Sequence, residues 1–228
     1  MLSHESQLAL RKLLWFGLVL YALVMVVAFW VWAQLPADAQ VPTHYGIDMM
    51  PDRYEHKDFA LLWLPQLMWV LTLLMVFIPR FEPRRLNLER SMKAYVRVTG
   101  AILIFLALMV LMSAWNALNQ TTLSVSFFAL SLGLLFTILG NYLGKVRSTF
   151  FFGIRTPWTL SSELSWQKTH RLTGKLFVLF GLELVLGGLL FNHPLVLFVG
   201  VGGIILSMIY AIGYSYFAWK ADPAKREL

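Results

Sequence analysis

The chain has 228 residues, of which 58% are hydrophobic and only 14% are charged. A water-soluble domain of this size would expose too much apolar surface to stay dispersed, so the composition indicates an integral membrane protein. The chain has no cysteine, which excludes disulfides and cysteine-ligated metal sites. A net charge of +7 would suit nucleic-acid binding, but the charges lie at the ends of apolar runs, where a membrane surface explains them better.

Six apolar runs are long enough to cross a bilayer, because a hydrocarbon core of about 30 Å needs roughly 17–25 apolar residues in a helix. The sequence therefore predicts an all-α integral membrane protein with six transmembrane helices. The fifth run is short, and we expect it to continue a helix that begins on the water side near Ser162. The runs are Leu13–Ala33, Phe59–Ile78, Val96–Leu118, Leu123–Leu143, Leu176–Phe191 and Leu195–Trp219.

The basic residues predict the orientation of these spans. Only Arg53 and Lys57 of the 19 lysines and arginines lie outside the amino tail, the segment after the second run, the segment 144–175 and the carboxyl tail. The positive-inside rule then places both termini and the segment 144–175 in the cytoplasm. The first run is about 21 residues long, which exceeds a signal-peptide core, so we expect it to stay in the protein as an uncleaved span.

Small residues recur along the last two runs, every four residues in the sixth and every seven in the fifth. Such stripes allow close helix approach, either within one bundle or at the seam of a homodimer, and the sequence leaves both interpretations open. The residues are Gly203, Ser207, Ala211 and Ser215 in the sixth run and Gly174, Gly181 and Gly188 in the fifth.

The segment Gly153-Ile154-Arg155-Thr156-Pro157-Trp158-Thr159-Leu160 is polar and rigid in an otherwise apolar chain. Gly153 permits a sharp turn, and Pro157 disfavours helix at Thr156, so we expect Arg155 to project from a constrained loop. Ser161 or Ser162 can cap the helix that follows.

One face of that helix is predicted to be functional. Glu163, Trp166 or Gln167, His170 and Gly174 recur every three to four residues along it. Arg155, Glu163 and His170 are therefore predicted to form a polar cluster at the cytoplasmic mouth of the bundle.

The run from Gly153 to Phe177 resembles the signature of the SdpI family of membrane proteins, named for a bacterial immunity protein. The matching residues are Gly153, Arg155, Thr156, Pro157, Trp158, Thr159, Trp166, Lys168, Thr169, His170 and Gly174. A looser resemblance links the outer segment 34–58 and its flank to a small amino-terminal domain of unknown function that is often joined to that family. It rests on Leu35, Pro36, Pro42, Thr43, His44, Gly46, Asp52, Lys57 and Pro65. We therefore predict a two-helix module over 1–95, with 34–58 as its acidic outer loop, and a four-helix module over 96–228, with 144–175 as its motif loop.

The SdpI resemblance implies immunity, meaning protection against a secreted membrane-active killing peptide at a bacterial inner membrane. It also implies that a cytoplasmic transcriptional repressor can be a partner, as in the namesake system. We expect no cofactor, no nucleic-acid partner and no enzymatic activity, because the chain has no nucleophile elbow, phosphate-binding glycine loop or paired intramembrane acids. The alternatives are a small transporter or channel, and a scaffold whose cytoplasmic motif docks another protein.

Glu183 lies midway along the fifth run, where a carboxylate costs roughly 2–3.5 kcal/mol on insertion scales. We expect it to face the bundle interior in its protonated form, with a hydrogen bond to Asn116, Asn141 or Gln66. The competing interpretation is a proton or substrate site, which would serve the transporter alternative.

The outer segment 34–58 is predicted to be a recognition surface. Five carboxylates outweigh its two bases, so it would attract a cationic amphipathic peptide. The recognition residues are predicted to be His44, Asp48, Asp52 and His56. Imidazole and carboxylate also suit zinc, but their spacing matches no metal motif, so we expect no metal site.

Overall fold

The computed structural model describes residues 2–46, 49–121 and 123–225. Within them, six helical segments are long and apolar enough to span a membrane, which confirms the predicted number. They are α1 (His4–Gln34), the second span Asp58–Phe81, α3 (Arg85–Asn119), α4 (Val125–Leu143), α6 (Glu163–Leu190) and α7 (Leu195–Lys220). A short helix, α5 (Pro157–Ser161), precedes α6. The side chain of Ser162 caps α6, as predicted for the start of the fifth span.

The second span is irregular. A π-helical segment, Asp58–Trp63, leads into α2 (Gln66–Phe77), and a 3₁₀ turn, Ile78–Phe81, ends the span. Pro65 is the N-cap of α2, where its missing N–H group costs little because the first helical N–H groups have no intrahelical partner.

The outer segment contains a β-hairpin, so the prediction of an all-α fold was wrong in this region. Strand β1 (Gln40–Tyr45) pairs antiparallel with β2 (Pro51–His56), and Val41, opposite Glu55, is 1% exposed. The sequence reasoning missed it because the strands alternate polar and apolar residues only weakly, with Val41 as the single buried side chain. Asp48, one of the predicted recognition residues, lies outside the described residues.

The described residues form two larger hydrophobic cores and two smaller clusters. One core joins α1, α2 and α3 through residues such as Leu13, Met68 and Leu103, and the other joins α4, α6 and α7 through residues such as Ala129 and Leu184. The predicted boundary between the modules 1–95 and 96–228 falls inside α3, which continues through it without a break. The division into two modules stays a prediction.

The small-residue stripes face helices of the same chain. A Cβ at Gly140 of α4 would lie 2.5 Å from the carbonyl oxygen of Gly174 in α6, so the two backbones are in direct contact. On α7, a Cβ at Gly203 would lie 2.2 Å from the Phe180 ring of α6. Both stripes therefore serve packing within the bundle, the first of the two interpretations left open by the sequence.

The start of α1 and the end of α7 lie at one end of the bundle, which we call the motif end. The Ser3 N–H donates to Glu89 at 2.5 Å near the start of α3, and Ser162 at the start of α6 donates to Asp222 at 2.5 Å. Six is an even number of crossings, so the chain returns to the end of the bundle at which it started. The β-hairpin occupies the opposite end, which we call the hairpin end.

Candidate functional site

Residues 163–175 of the predicted motif loop belong to α6, so the name motif loop is kept from here on for residues 144–162, which fold back over the start of α6. A capping box begins α5 within this loop. The Thr159 N–H donates to Thr156 Oγ1 at 3.1 Å, and the Thr156 N–H donates to Thr159 Oγ1 at 2.9 Å. Pro157 occupies the first helical turn, where it needs no N–H partner. Thr156 is extended, as the following proline predicts.

A stacked pair of rings, Trp166 and His170, lies buried under this loop. The ring centroids are 4.0 Å apart, and the side chains are 0% and 1% exposed. The Trp166 indole N–H donates to the Val146 carbonyl at 2.8 Å, and the Ile154 N–H donates to His170 Nε2 at 2.9 Å. Because Nε2 accepts that bond, Nδ1 holds the proton and donates to the Trp166 carbonyl at 2.8 Å. His170 is thus a neutral structural acceptor that anchors the loop.

Gly153 crosses directly above this pair. Its φ of +118° is a conformation that L side chains rarely adopt, and a Cβ there would lie 2.6 Å from His170 Nε2 and 2.8 Å from the Trp166 ring. Backbone conformation and space therefore both require glycine at this point of the motif.

Glu82, which the sequence analysis did not single out, anchors the other side of the loop. Its carboxylate is 1% exposed and accepts backbone N–H groups from Phe150 at 2.9 Å, Phe151 at 3.0 Å and Arg84 at 2.9 Å. Three amide donors satisfy a charge that would otherwise be costly to bury. The sequence contains one indication of a special role for Glu82: it and Glu89 are the only acidic residues in the basic stretch 80–97.

The start of α3 adds three side chains to this anchor. Arg84 donates to the Ser148 hydroxyl and, at 2.7 Å, to the Leu160 carbonyl. Asn87 donates to the Ser148 carbonyl at 2.8 Å, and the Arg147 N–H donates to the Ser91 hydroxyl at 2.8 Å. The amino-terminal half of the chain thus holds the motif loop along most of its length.

The end of α7 completes the surroundings of the loop. The hydroxyls of Thr156 and Ser215 are 3.0 Å apart, and Ser165 donates to the Ser215 carbonyl at 2.7 Å. Beyond the helix, the hydrogen bond from the Ser162 hydroxyl holds the pKa of Asp222 below its usual value. The carboxyl tail is therefore tied to the N-cap of α6.

Four motif-loop side chains form an exposed patch, which we call the motif surface: Phe150, Phe151, Arg155 and Pro157. Arg155 donates to the Phe150 carbonyl at 2.9 Å, and this bond ties its guanidinium to the backbone at residue 150. Trp158 borders the patch and packs edge-on against Tyr216 at 5.3 Å.

The predicted cluster of Arg155, Glu163 and His170 was wrong. Glu163 is exposed and accepts from Gln167 at 3.2 Å, whereas His170 is sealed beneath Gly153. The turn at Gly153 covers the imidazole and leaves Arg155, two residues later, on the outside. Gly174 is also on the buried face of α6, but it contacts α4 instead of the loop.

Glu183 is half-buried on α6 and faces α7, where a Cβ at Gly200 would lie 2.5 Å from Oε2. That oxygen is buried and has no hydrogen-bond partner among the described residues. The expected partners were wrong: Gln66 donates to the Leu62 carbonyl, Asn116 accepts from the Thr121 hydroxyl, and Asn141 accepts from Lys145.

At the hairpin end, the described members of the predicted recognition set, His44, Asp52 and His56, do not form one cluster. His44 and Asp52 are 2.6 Å apart across the strands, while His56 lies 3.3 Å from Asp58 at the base. Among residues 2–46, 49–121 and 123–225, no group of three or more histidines and carboxylates is placed to hold a metal ion.

Lys57, in contrast, is 6% exposed and donates to the carbonyls of Trp32 at 3.1 Å and Leu35 at 2.8 Å. These carbonyls end α1, so a buried ammonium ties the hairpin to the first span by capping its C-terminus.

The comparisons with known proteins bear on the carboxyl-terminal part of the chain. No curated protein and no solved structure matched the chain. One family model matched residues 145–215, a range that contains the motif loop from its second residue onward, the Trp166–His170 pair and Glu183. The predicted resemblance is thereby confirmed for this part of the chain: residues 145–215 match the model of the SdpI/YfhL protein family, a family of membrane immunity-type proteins.

Proposed function

We propose that this protein is an immunity protein that binds and neutralises, or senses, a secreted membrane-active peptide. The family match at residues 145–215 supports the immunity class. The observation that carries the choice of binding site is an apolar cavity directly beneath an acidic hairpin, at the end of the bundle opposite the motif loop.

The cavity has a volume of about 300 Å³. The hairpin residues Pro42 and Tyr45 cover it, and the second span and α3 supply three of its methionines, Met68, Met109 and Met112. Methionine side chains adapt to ligands of varied shape. The cavity can therefore accept a bulky apolar side chain from an amphipathic peptide that approaches from the membrane.

The surface around the cavity is acidic. Asp38, Asp52 and Asp58 are exposed and Glu55 is half-buried, whereas the ammonium of Lys57 is buried against carbonyl groups. Opposite charge speeds the encounter of two partners, so this surface would attract the basic residues of a killing peptide.

The test is survival of a sensitive bacterium that expresses the protein and is challenged with the killing peptide of the namesake system. In the variant Asp38→Asn/Glu55→Gln, we expect the protective effect to fall roughly tenfold, because two steering charges are removed. The matched control, Glu5→Gln/Glu163→Gln, removes two exposed carboxylates at the motif end and should protect fully. Full protection by the hairpin variant at equal membrane levels would reject the hairpin as the receptor.

The same assay tests the motif surface. Arg155 is exposed and makes one bond to a loop carbonyl, so Arg155→Ala should insert and fold normally. Loss of protection in this variant would support the motif surface as a docking site for a cytoplasmic partner such as a repressor. Unchanged protection would restrict the immunity function to the hairpin end.

We further propose that the membrane is the bacterial inner membrane and that the motif end faces the cytoplasm, which the distribution of basic residues supports. Because the chain has no native cysteine, single reporter cysteines have no background. In intact cells, a membrane-impermeant maleimide should label Tyr54→Cys on the hairpin but label Lys168→Cys on α6 only after lysis. The reverse labelling would invert the proposed orientation.

A second candidate function, a small transporter, draws on the unpartnered carboxyl oxygen of Glu183. If Glu183 carries protons, Glu183→Gln should abolish proton-coupled flux into proteoliposomes while leaving thermal stability nearly unchanged, because glutamine keeps the shape of the side chain. If the carboxyl is only a packing element, flux and protection will both be unaffected, and the proton site is rejected.

A further inference from the structure

A second cavity opens at the motif end, between the first turns of α1, the end of the second span and the start of α3. Its volume is about 620 Å³, which is within the range of small-molecule sites. Three arginines line it, Arg11, Arg80 and Arg85. Leu10 and Val76, each 5% exposed, belong to its apolar wall.

None of the ion pairs in the described part of the chain involves these arginines. The described residues that line the cavity include no acidic side chain, and the ion pairs found in the described part of the chain lie at the hairpin end. Arg80 stacks on the Phe77 ring with its guanidinium carbon 4.5 Å from the ring centroid, a contact that holds it at the cavity mouth.

The start of α3 adds to this positive field. Arg85 is its first residue, and this 35-residue helix has no acidic side chain in its first turn and no side-chain hydrogen bond at its N-cap. The positive end of the helix dipole lies near the cavity, and Glu82, which accepts the Arg84 N–H at the N-cap, offsets part of it.

The position of the cavity selects the ligand. Arg11 lies just before the first apolar run, separated from it by Lys12, and Arg80 lies in the turn that ends the second span, so we place these arginines at the depth of lipid headgroups. Leu14 and Val76 continue from there toward the hydrocarbon core. A suitable ligand needs a negative group at one end and an apolar chain at the other.

We propose that this cavity binds an anionic phospholipid. Its phosphate would contact Arg11, Arg80 and Arg85, and an acyl chain would lie along the apolar wall that contains Leu14 and Val76. One guanidinium group can donate two parallel hydrogen bonds to a phosphate, and basic pockets between spans recognise anionic headgroups. The site is separate from the hairpin cavity and does not depend on the proposed immunity function.

The test is lipid binding to the purified full chain in a neutral detergent, measured by native mass spectrometry and by thermal stabilisation. The probes are phosphatidylglycerol, phosphatidylcholine with the same chains, and glycerol phosphate. We expect phosphatidylglycerol to bind at least about tenfold more tightly than phosphatidylcholine. The variant Arg80→Gln/Arg85→Gln should lose about fivefold per arginine for phosphatidylglycerol.

The control Arg90→Gln/Lys93→Gln removes two charges from exposed positions of the same helix and should bind like the wild type. To check folding, each variant also carries Ile154→Cys, a cysteine at a buried position of the motif loop. Maleimide should label it as slowly as in the protein with native lipid-site arginines, which shows that the motif loop is intact. Equal binding of the two lipids, or unchanged binding by the arginine variant, would overturn the proposal. Glycerol phosphate binding as tightly as the lipid would also overturn it, because the site would then recognise a soluble phosphate.

Discussion

Glu82→Gln is expected to release the motif loop from the bundle. The substitution removes a buried negative charge that accepts three backbone N–H groups, and it turns an amide NH₂ toward donors that need an acceptor. We expect a loss of about 3 kcal/mol in the stability of the loop, since hydrogen bonds to charged groups are the stronger ones and a buried unpaired donor costs more still. The effect should be local at first, because the two helix cores do not include Glu82.

A cysteine reporter measures this release. Ile154 is a buried residue of the loop, 7% exposed, so Ile154→Cys should react slowly with maleimide in the native protein. A loss of about 3 kcal/mol corresponds to about a hundredfold faster labelling when opening is in rapid equilibrium. Glu89→Gln in the same background is the matched control, because Glu89 accepts a single bond at the amino terminus. Equal labelling rates in the two variants would show that Glu82 does not anchor the loop.

Gly153→Ala is expected to disrupt the Trp166–His170 pair from the opposite side. The backbone must keep φ near +118°, which costs an L residue about 1–3 kcal/mol, and the new methyl group would lie 2.6 Å from His170 Nε2. Because the close atoms belong to two buried rings, the neighbours cannot move aside without breaking the Ile154 bond to His170.

Thermal unfolding in detergent and the Ile154→Cys reporter both measure this effect. We expect a total loss of at least about 2 kcal/mol and faster labelling at residue 154. Gly144→Ala is the control, since it lies at the start of the same loop with φ at −69° and its Cβ would meet Arg171 at an ordinary 3.4 Å. If Gly153→Ala unfolds at the same temperature as Gly144→Ala, neither strain nor space requires glycine at residue 153.

Much of the fold was predictable because a bilayer imposes simple rules. The length of the apolar runs predicted six spans, and Ser162 predicted where the fifth helix begins, since both depend on local sequence alone. The hairpin was not predicted, because Val41 is its single buried side chain and short strands need their partners to be recognised.

The candidate site was predictable in its residues but not in their roles. Gly153, Trp166 and His170 were selected by resemblance and spacing, and the structure brings these three together. Glu82 was missed because it lies 68 residues before its partner Phe150, and no local pattern connects them. The expected partners of Glu183 failed for the same reason, since depth in the membrane does not determine which helices are neighbours.

By itself, the sequence determined the membrane class, the number of spans, the asymmetry of charge and the family of its carboxyl-terminal part. These properties depend on composition, period and short-range motifs, which the chain displays without being folded. Only the tertiary structure decided which side chains of the polar motif are buried, that Glu82 and the start of α3 hold it, and that three arginines surround one cavity. Those facts depend on contacts between distant segments, because desolvation and hydrogen bonding act on neighbours in space, whatever their separation along the chain.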